Sequence, residues 1–358
     1  MAIILLVVNA FLAMGTLYTW AERRIIGRFQ SRVGPNRVGP FGLLQAIADA
    51  VKLLFKEDIV PRAADRIVFN LAPIAMLAPS VMALAVIPFG QTSYLANLNI
   101  GLLYLIATSG IASLAVMMAG YASSNRYAMF GAMRAVAMLI SYEIPLVMVL
   151  LAVALLAGSM SLVDVMTSQA IPFLLVTPLG AIIFFLAISA ELNRSPFDIT
   201  EAESELIAGY LTEYSGMKFG VFYLAEFANV LLAGAIFSTL FLGGWPWWTP
   251  LSHVWFLVKV MAFAFIAIWV RSTIPRFRID QIMVIAWKVL FPLSLVNVAA
   301  IAIEVVAWPE RTLPQLVIMG IINWGITAVA TVAVTRAWRA SNGLRVSPSA
   351  RAVRLEVG

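Results

Sequence analysis

The chain has 358 residues, of which 62% are hydrophobic and only 12% are charged, and its formal net charge is +6. This composition excludes an ordinary soluble domain and is typical of a protein that crosses a membrane several times. The chain has no cysteine and one histidine. These counts exclude disulfides and cysteine-bound iron–sulfur clusters, and they argue against a histidine-based metal or haem site.

Nine apolar stretches are long enough to cross a bilayer as helices, which takes roughly 20 residues each. They cover residues 2–20, 67–89, 100–122, 135–157, 171–190, 219–242, 251–270, 284–307 and 314–335. We therefore expect an all-α, polytopic transmembrane bundle, because lipid requires each span to satisfy its own backbone hydrogen bonds. We expect it to form one domain over residues 1–338, followed by a mobile cytoplasmic tail at 339–358.

The first stretch is interpreted as a retained span, with a cleaved signal peptide as the alternative. No basic region precedes it, and its cationic residues, Arg23 and Arg24, come afterwards.

The distribution of positive charge predicts the orientation. Five segments together hold 22 of the 24 lysine and arginine residues, namely 21–66, 123–134, 191–218, 271–288 and the tail from Arg336. Basic residues collect on the cytoplasmic side of membrane proteins, so we expect the N-terminus outside and the C-terminus inside. The net positive charge then reflects topology, and nucleic-acid binding is not expected.

The first inner segment contains two helix-breaking Gly-Pro pairs, in Arg32-Val-Gly-Pro-Asn-Arg37-Val-Gly-Pro40. An amphipathic stretch follows at about 42–57. Its apolar side chains fall on one helical face and include Leu43, Leu44, Ile47, Val51, Leu54 and Phe55. This pattern predicts a helix in the membrane interface. A plain anchor is the alternative, with Asp49 and Lys52 as a surface ion pair.

Three acidic residues, Glu143, Glu191 and Glu226, lie inside or at the mouth of apolar stretches. A charge at bilayer depth costs about 2.5–3.5 kcal/mol, so such residues usually have a task or a partner. The structural alternatives are local polar partners for Glu143 beside a proline and a buried ion pair between Glu226 and Lys259. Glu304, near the outer end of the eighth span, is expected to reach the interface.

The segment 191–217 between the fifth and sixth spans is the most acidic part of the chain, with six acidic residues between Glu191 and Glu213. Helix capping explains two or three of them. Glu201 and Glu205 would share one helical face, where like-charge repulsion favours protonation of one of them. The residues therefore favour proton or cation handling, with Arg194 available to bind an anionic or carbonyl oxygen.

Two segments resemble the signature motifs of the complex I subunit 1 family, the membrane subunit of NADH:quinone oxidoreductase (its H subunit) that meets the hydrophilic arm. They are Gly42-Leu-Leu-Gln-x-Ile-x-Asp49-x-x-Lys52-x-x-x-Lys-Glu57 and Pro196-Phe-Asp198-x-x-Glu-x-Glu203, with the Gly-Pro segment as a third block. The resemblance runs over about 20–310. The ninth span is an addition that only some members of the family have.

The resemblance implies that the inner loops face a peripheral arm and form the floor and entrance of a quinone channel. The quinone, ubiquinone or menaquinone, would be a substrate reduced by an iron–sulfur cluster in a neighbouring subunit, and this chain would hold no tightly bound cofactor. Small and antiporter-like membrane subunits would be further partners, in the bacterial cytoplasmic membrane.

The resemblance also implies two sets of site residues. Candidates for the quinone channel or the subunit interface are Arg23, Arg24, Arg32, Arg37, Asp49, Arg194, Phe197 and Asp198. Candidates for the proton path are Glu143, Glu191, Glu201, Glu203, Glu205, Glu213, Glu226 and Lys259.

Two other functions compete with a quinone reductase subunit. One is the membrane subunit of a related energy-converting hydrogenase or other donor-dependent dehydrogenase, against which the Gly-Pro-Asn-Arg-Val-Gly block argues. The other is a stand-alone ion antiporter, against which the lack of an internal repeat argues.

Overall fold

The protein is described by a computed structural model over residues 2–90, 93–199, 208–243 and 252–344. Helices joined by short connections make up this part of the chain, which confirms the predicted all-α class. They are α1 (Ala2–Phe29), α2 (Gln45–Phe55), α3 (Arg66–Ala83), α4 (Gly101–Ala122), α5 (Arg126–Ala157), α6 (Leu162–Thr167), α7 (Phe173–Val176), α8 (Pro178–Glu191), α9 (Gly216–Phe241), α10 (Ser252–Thr273), α11 (Ile279–Ala307) and α12 (Leu313–Leu344).

Eight of the described helices are long and apolar enough to cross a membrane: α1, α3, α4, α5, α9, α10, α11 and α12. They correspond to eight of the nine predicted spans. The fifth predicted span, 171–190, is instead divided into α7 and α8 at Thr177, whose φ of −129° and ψ of 66° are not helical. Pro178 starts α8, a position that suits proline because a first-turn N–H has no helical partner. The number of spans and their orientation remain predictions.

The centre of the bundle is α5, which packs against α4, α8 and α11. Pro145 lies inside α5 without dividing it. On the facing helix, α11, residues Ile285–Leu290 form a π-helical stretch. Tyr142 donates a hydrogen bond to the carbonyl oxygen of Ile282 (3.0 Å), which fixes α5 against the beginning of α11.

The amphipathic helix predicted at about 42–57 is present as α2, shorter than expected at Gln45–Phe55, and it packs on α1 and α9. Its position in the membrane interface stays a prediction. None of its residues is buried, and Phe55 is 89% exposed. The preceding turn depends on Gly42, because φ is +76° there and a Cβ would lie 2.3 Å from the carbonyl oxygen of Pro35.

Helix α12 confirms the predicted ninth helical segment and packs against α7 and α8. It extends to Leu344, past the predicted domain boundary at 338, and residues 345–358 lie outside the described part. The expectation that Glu304 reaches the interface is wrong. Glu304 is only 5% exposed, because α12 covers it. Asn323 of α12 donates a hydrogen bond to its carboxylate (2.9 Å).

Candidate functional site

The connection after α8 turns back into the bundle and carries several of the predicted site residues. Asn193 has a φ of +49°, a conformation that asparagine tolerates better than most residues. The Phe197 amide donates to the carbonyl oxygen of Arg194 (2.8 Å), and the Phe277 amide donates to that of Pro196 (3.0 Å). These bonds hold residues 193–198 against the segment between α10 and α11.

A buried charge network surrounds Arg194, which is 6% exposed. Its Nη1 donates to Glu22 of α1 (2.8 Å), and its Nε lies 3.4 Å from Glu226 of α9. Arg271 of α10 donates to the same oxygen of Glu22. Two carboxylates and two guanidinium groups thus join three helices and a loop with no formal net charge. Because breaking such a buried pair leaves a desolvated charge, the members hold one another in place.

Asp198 and Phe197 form the second part of the loop. Asp198 is 4% exposed, and Arg276 lies 3.2 Å from it in the segment after α10. Phe197 is 1% exposed, with its ring centroid 5.2 Å from that of Tyr142 on α5. The loop therefore contacts α5 through an aromatic pair and the α10–α11 segment through an ion pair.

A cavity of about 90 Å³ lies among α3, α4, α5, α8 and α9, and Glu143 and Glu191 both line it. Among the described residues, neither carboxylate has a hydrogen-bond or ion-pair partner, so the local polar partners considered for Glu143 are not found. The neutral polar side chains in the wall are Ser80, Thr108, Ser109, Ser113, Asn193 and Asn229. Most of the wall is apolar, and the volume has room for about three water molecules at roughly 30 Å³ each, which these polar groups and the two carboxylates could bind.

The cavity and the charge network meet in one short segment. Glu191 and Asn193 line the cavity, and Arg194, the next residue, is the centre of the network. A displacement of this loop would therefore change both at once.

The predicted arginines of the first inner segment lie at the surface. Arg23, Arg32 and Arg37 line an open basin of about 790 Å³ together with residues 33–36 and Gln45. Arg23 also pairs with Asp49 of α2 (2.6 Å), which replaces the alternative pair of Asp49 with Lys52. The arrangement presents positive charge to whatever faces this surface.

Arg24 stabilises the turn before α2. Its Nη1 donates to the carbonyl oxygen of Phe41 (2.9 Å), and its guanidinium lies over the rings of Trp20 and Phe41, at 5.5 Å and 5.2 Å from their centroids. Arg24 thus contributes to the shape of the segment that carries the basic basin.

Other predicted proton-path residues are separate from the cavity. Glu213 accepts a hydrogen bond from Asn125 (2.7 Å), beside Tyr214, whose phenol pKa is raised by burial. Lys259 donates to the carbonyl oxygens of Leu242 and Gly243 (2.9 Å each) at the end of α9. Glu201, Glu203 and Glu205 lie outside the described residues.

The ion pair considered between Glu226 and Lys259 is wrong. Glu226 pairs with Arg194, whereas Lys259 binds the far end of α9, 16 residues or about 24 Å along that helix.

Sequence reasoning missed Glu22, Arg271 and Arg276 as site residues. In the sequence, Arg271 and Arg276 stand out only as part of a basic segment, and Glu22 only as a residue at the end of the first apolar stretch. The available signal was the position of Glu22 as the one acid between an apolar span and Arg23, Arg24 and Arg28. An acid there needs a partner, although the sequence does not say which.

Comparison with known proteins agrees with these features. Residues 1–302 match the family model described as NADH dehydrogenase. The NADH-quinone oxidoreductase H subunit of Dehalococcoides mccartyi strain 195 is 52% identical over 303 residues, 84% of this chain and 85% of the relative. The protein of the same name from Geobacillus kaustophilus is 51% identical over 314 residues, 86% of this chain and 93% of the relative. The relative from Geobacter metallireducens, numbered as the first H subunit of that organism, is 47% identical over 310 residues, 83% and 94% of the two chains.

These matches cover most of the chain and include both the charge network and the cavity. The chain therefore belongs to the NADH dehydrogenase family, as a multi-pass membrane subunit of complex I similar to the proteins named as the H subunit of NADH-quinone oxidoreductase.

Proposed function

We propose that this chain forms the membrane side of the quinone-binding cavity and transmits quinone reduction to proton translocation. The observation that carries the proposal is the 191–198 loop, in which one short segment supplies both a cavity carboxylate and the central arginine of a buried charge network. The names of the relatives supply the reaction, since they are NADH-quinone oxidoreductase subunits.

The loop has the groups that a quinone headgroup would need. A quinone is a planar ring with two carbonyl oxygens, so it is bound by aromatic contact and by hydrogen-bond donors. Phe197 and Tyr142 form a buried aromatic pair that a movement of the loop would uncover for the ring. Arg276, whose side chain is 41% exposed, would be the accessible guanidinium donor, and Arg194 would join it once the loop moved. Reduction to the quinol adds two electrons and two protons, and negative charge arising before protonation would draw the guanidinium groups away from their carboxylates.

The coupling step follows from that competition. If Arg194 shifts toward the reduced headgroup, Glu22 and Glu226 lose part of their counter-charge and become better proton acceptors. The same shift moves Asn193 and Glu191 at the edge of the cavity. Glu191 and Glu143 would then exchange protons through water in the cavity. Glu201, Glu203, Glu205, Glu213 and Lys259 are proposed to extend this path beyond the cavity.

The partners follow from the surfaces. The basic basin around Arg23, Arg32 and Arg37 would receive an acidic surface of the peripheral arm, which would carry the iron–sulfur cluster that supplies electrons. Small and antiporter-like membrane subunits would cover part of the apolar helix faces. We place the assembly in the bacterial cytoplasmic membrane, consistent with the bacterial origin of the relatives.

Replacing Asp198 with asparagine tests the proposal. Asp198→Asn removes the counter-charge of Arg276 at the loop, so inhibitor-sensitive NADH:quinone reduction in membranes should fall several-fold. NADH oxidation by a water-soluble artificial acceptor should not change, because that reaction bypasses the quinone site. Glu310→Gln, an exposed acid in the turn after α11, is the control and should leave both rates unchanged. Equal loss of both activities in Asp198→Asn would mean that the residue serves assembly and not the quinone site.

A further inference from the structure

Glu304 is a buried acid that the proposed proton path does not use. It lies where α11 and α12 meet and is 5% exposed. Asn323 of α12 donates from Nδ2 to Oε2 of Glu304 (2.9 Å), and Oε1 has no hydrogen-bond partner among the described residues. The family match ends at residue 302, so both Glu304 and α12 lie outside it.

No cation among the described residues pairs with Glu304. In the turn between α11 and α12, Arg311 donates instead to the carbonyl oxygen of Leu156 (2.6 Å), and Glu310 is exposed. On α11 itself the preceding charge is Lys288, 16 residues away or about 24 Å along the helix.

The helices packed against α11 bring no titratable group to this level of the bundle. They are α5, α8 and α12, and residues 144–157, 178–190 and 313–335 contain no acidic, basic, histidine or tyrosine residue. Tyr142 and Glu143 lie near the middle of α5, 15 and 14 residues before its end at Ala157, and Glu191 is the last residue of α8. Among the described residues, Glu304 therefore has no ion-pair partner, and its one polar contact is the neutral amide of Asn323.

The contact that buries Glu304 also covers the break between α7 and α8. The Trp324 indole of α12 donates to the carbonyl oxygen of Leu175 in α7 (3.1 Å). Gly320 allows the close approach, because a Cβ at that position would lie 3.2 Å from the same oxygen. Adjacent residues, Asn323 and Trp324, thus fasten α12 to α11 and to the broken helix.

We propose that Glu304 is a proton-binding site within the membrane, and that the protonated acid fastens α12 over the break between α7 and α8. An ionised carboxylate here would have one neutral donor and no counter-charge, an arrangement that buried charges avoid. In the protonated acid, Oε2 is the carbonyl oxygen that accepts from Asn323, and Oε1 carries the proton. Loss of the proton would leave a bare charge between α11 and α12 and would loosen α12.

Infrared difference spectroscopy of the assembled complex at neutral pH tests the bound proton. The difference between wild type and Glu304→Gln should contain the carbonyl stretch of a protonated carboxylic acid. The matched difference for the exposed acid, Glu310→Gln, should contain carboxylate bands instead. Asn323→Leu should retain the acid band but move it to higher wavenumber, because the carbonyl loses its donor. Carboxylate bands in the Glu304→Gln difference, or their appearance in Asn323→Leu, would overturn the proposal.

Thiol labelling tests the role in fastening α12, and the absence of cysteine makes a single reporter possible. Met319→Cys places the reporter at a fully buried position on α12, and Ile321→Cys places the reference at a position that is 68% exposed. The rate of labelling at position 319 is divided by the rate at position 321, which corrects for ionisation of the thiol. This ratio should rise at alkaline pH with Glu304 present and stay low in the Glu304→Gln background. The same pH response in both backgrounds, or none with Glu304 present, would contradict the proposal.

Discussion

Replacing Arg194 with lysine tests the charge network by keeping the charge and removing the geometry. The guanidinium contacts Glu22 through Nη1 at 2.8 Å and Glu226 through Nε at 3.4 Å. A lysine ammonium is a single point on a flexible stem and does not reproduce this two-sided contact. Losing one hydrogen bond to a charged group costs about 1.5–3 kcal/mol. Since 1.4 kcal/mol is about a tenfold change, the ordered loop should be disfavoured by roughly 10- to 100-fold.

The assay for Arg194→Lys measures inhibitor-sensitive NADH:quinone reduction in membranes, alongside NADH oxidation by an artificial acceptor. We expect the quinone rate to fall by at least several-fold while the artificial rate is retained. Arg66→Lys, at an exposed position at the start of α3, is the matched control and should leave both rates unchanged. A quinone rate in Arg194→Lys equal to that of the control would refute the role assigned to the network.

Three further changes test other parts of the structure. Gly42→Ala should prevent the turn before α2 from forming, because φ is positive at this residue and a Cβ would lie 2.3 Å from the Pro35 carbonyl oxygen. Limited proteolysis of the membrane-bound complex should then cut near this turn, and an unchanged digestion pattern would contradict the argument. Asp49→Asn should change the free energy of unfolding by less than about 1 kcal/mol, because the pair with Arg23 is substantially exposed; a large drop in thermal stability of the complex would show that the pair does more. Lys259→Met should lower the free energy of unfolding by up to about 2 kcal/mol, as expected for loss of a cation at a helix C-terminus, and Lys259→Arg should retain most of it. Equal stability of the two variants would show that Lys259 does not cap α9.

The sequence was sufficient to predict the features that depend on position along the chain. The apolar stretches gave eight helices long enough to span a membrane, and the period of the apolar residues after Gly42 gave α2. Glu143 and Glu191 were singled out because charges in apolar stretches need a reason, and both line the same cavity.

Features that depend on packing between helices could not be predicted. Depth along a helix follows from the sequence, but the side of the helix that meets a given neighbour does not. For this reason the sequence favours Lys259 as a partner of Glu226, although Glu226 contacts Arg194, and it gives no sign of the contact between Arg271 and Glu22. The sequence predicts Glu304 at the interface because nothing in it shows that α12 folds over this residue.

The central claim, that the 191–198 loop links quinone reduction to protons in the cavity, is tested most directly by the number of protons moved per electron. The measurement compares wild type, the Glu143→Gln/Glu191→Gln double variant and Glu310→Gln in proteoliposomes, with NADH oxidation and proton uptake recorded together. We predict that the double variant still transfers electrons to quinone at a reduced rate but moves fewer protons per electron, whereas Glu310→Gln matches wild type. An unchanged ratio in the double variant would contradict the claim.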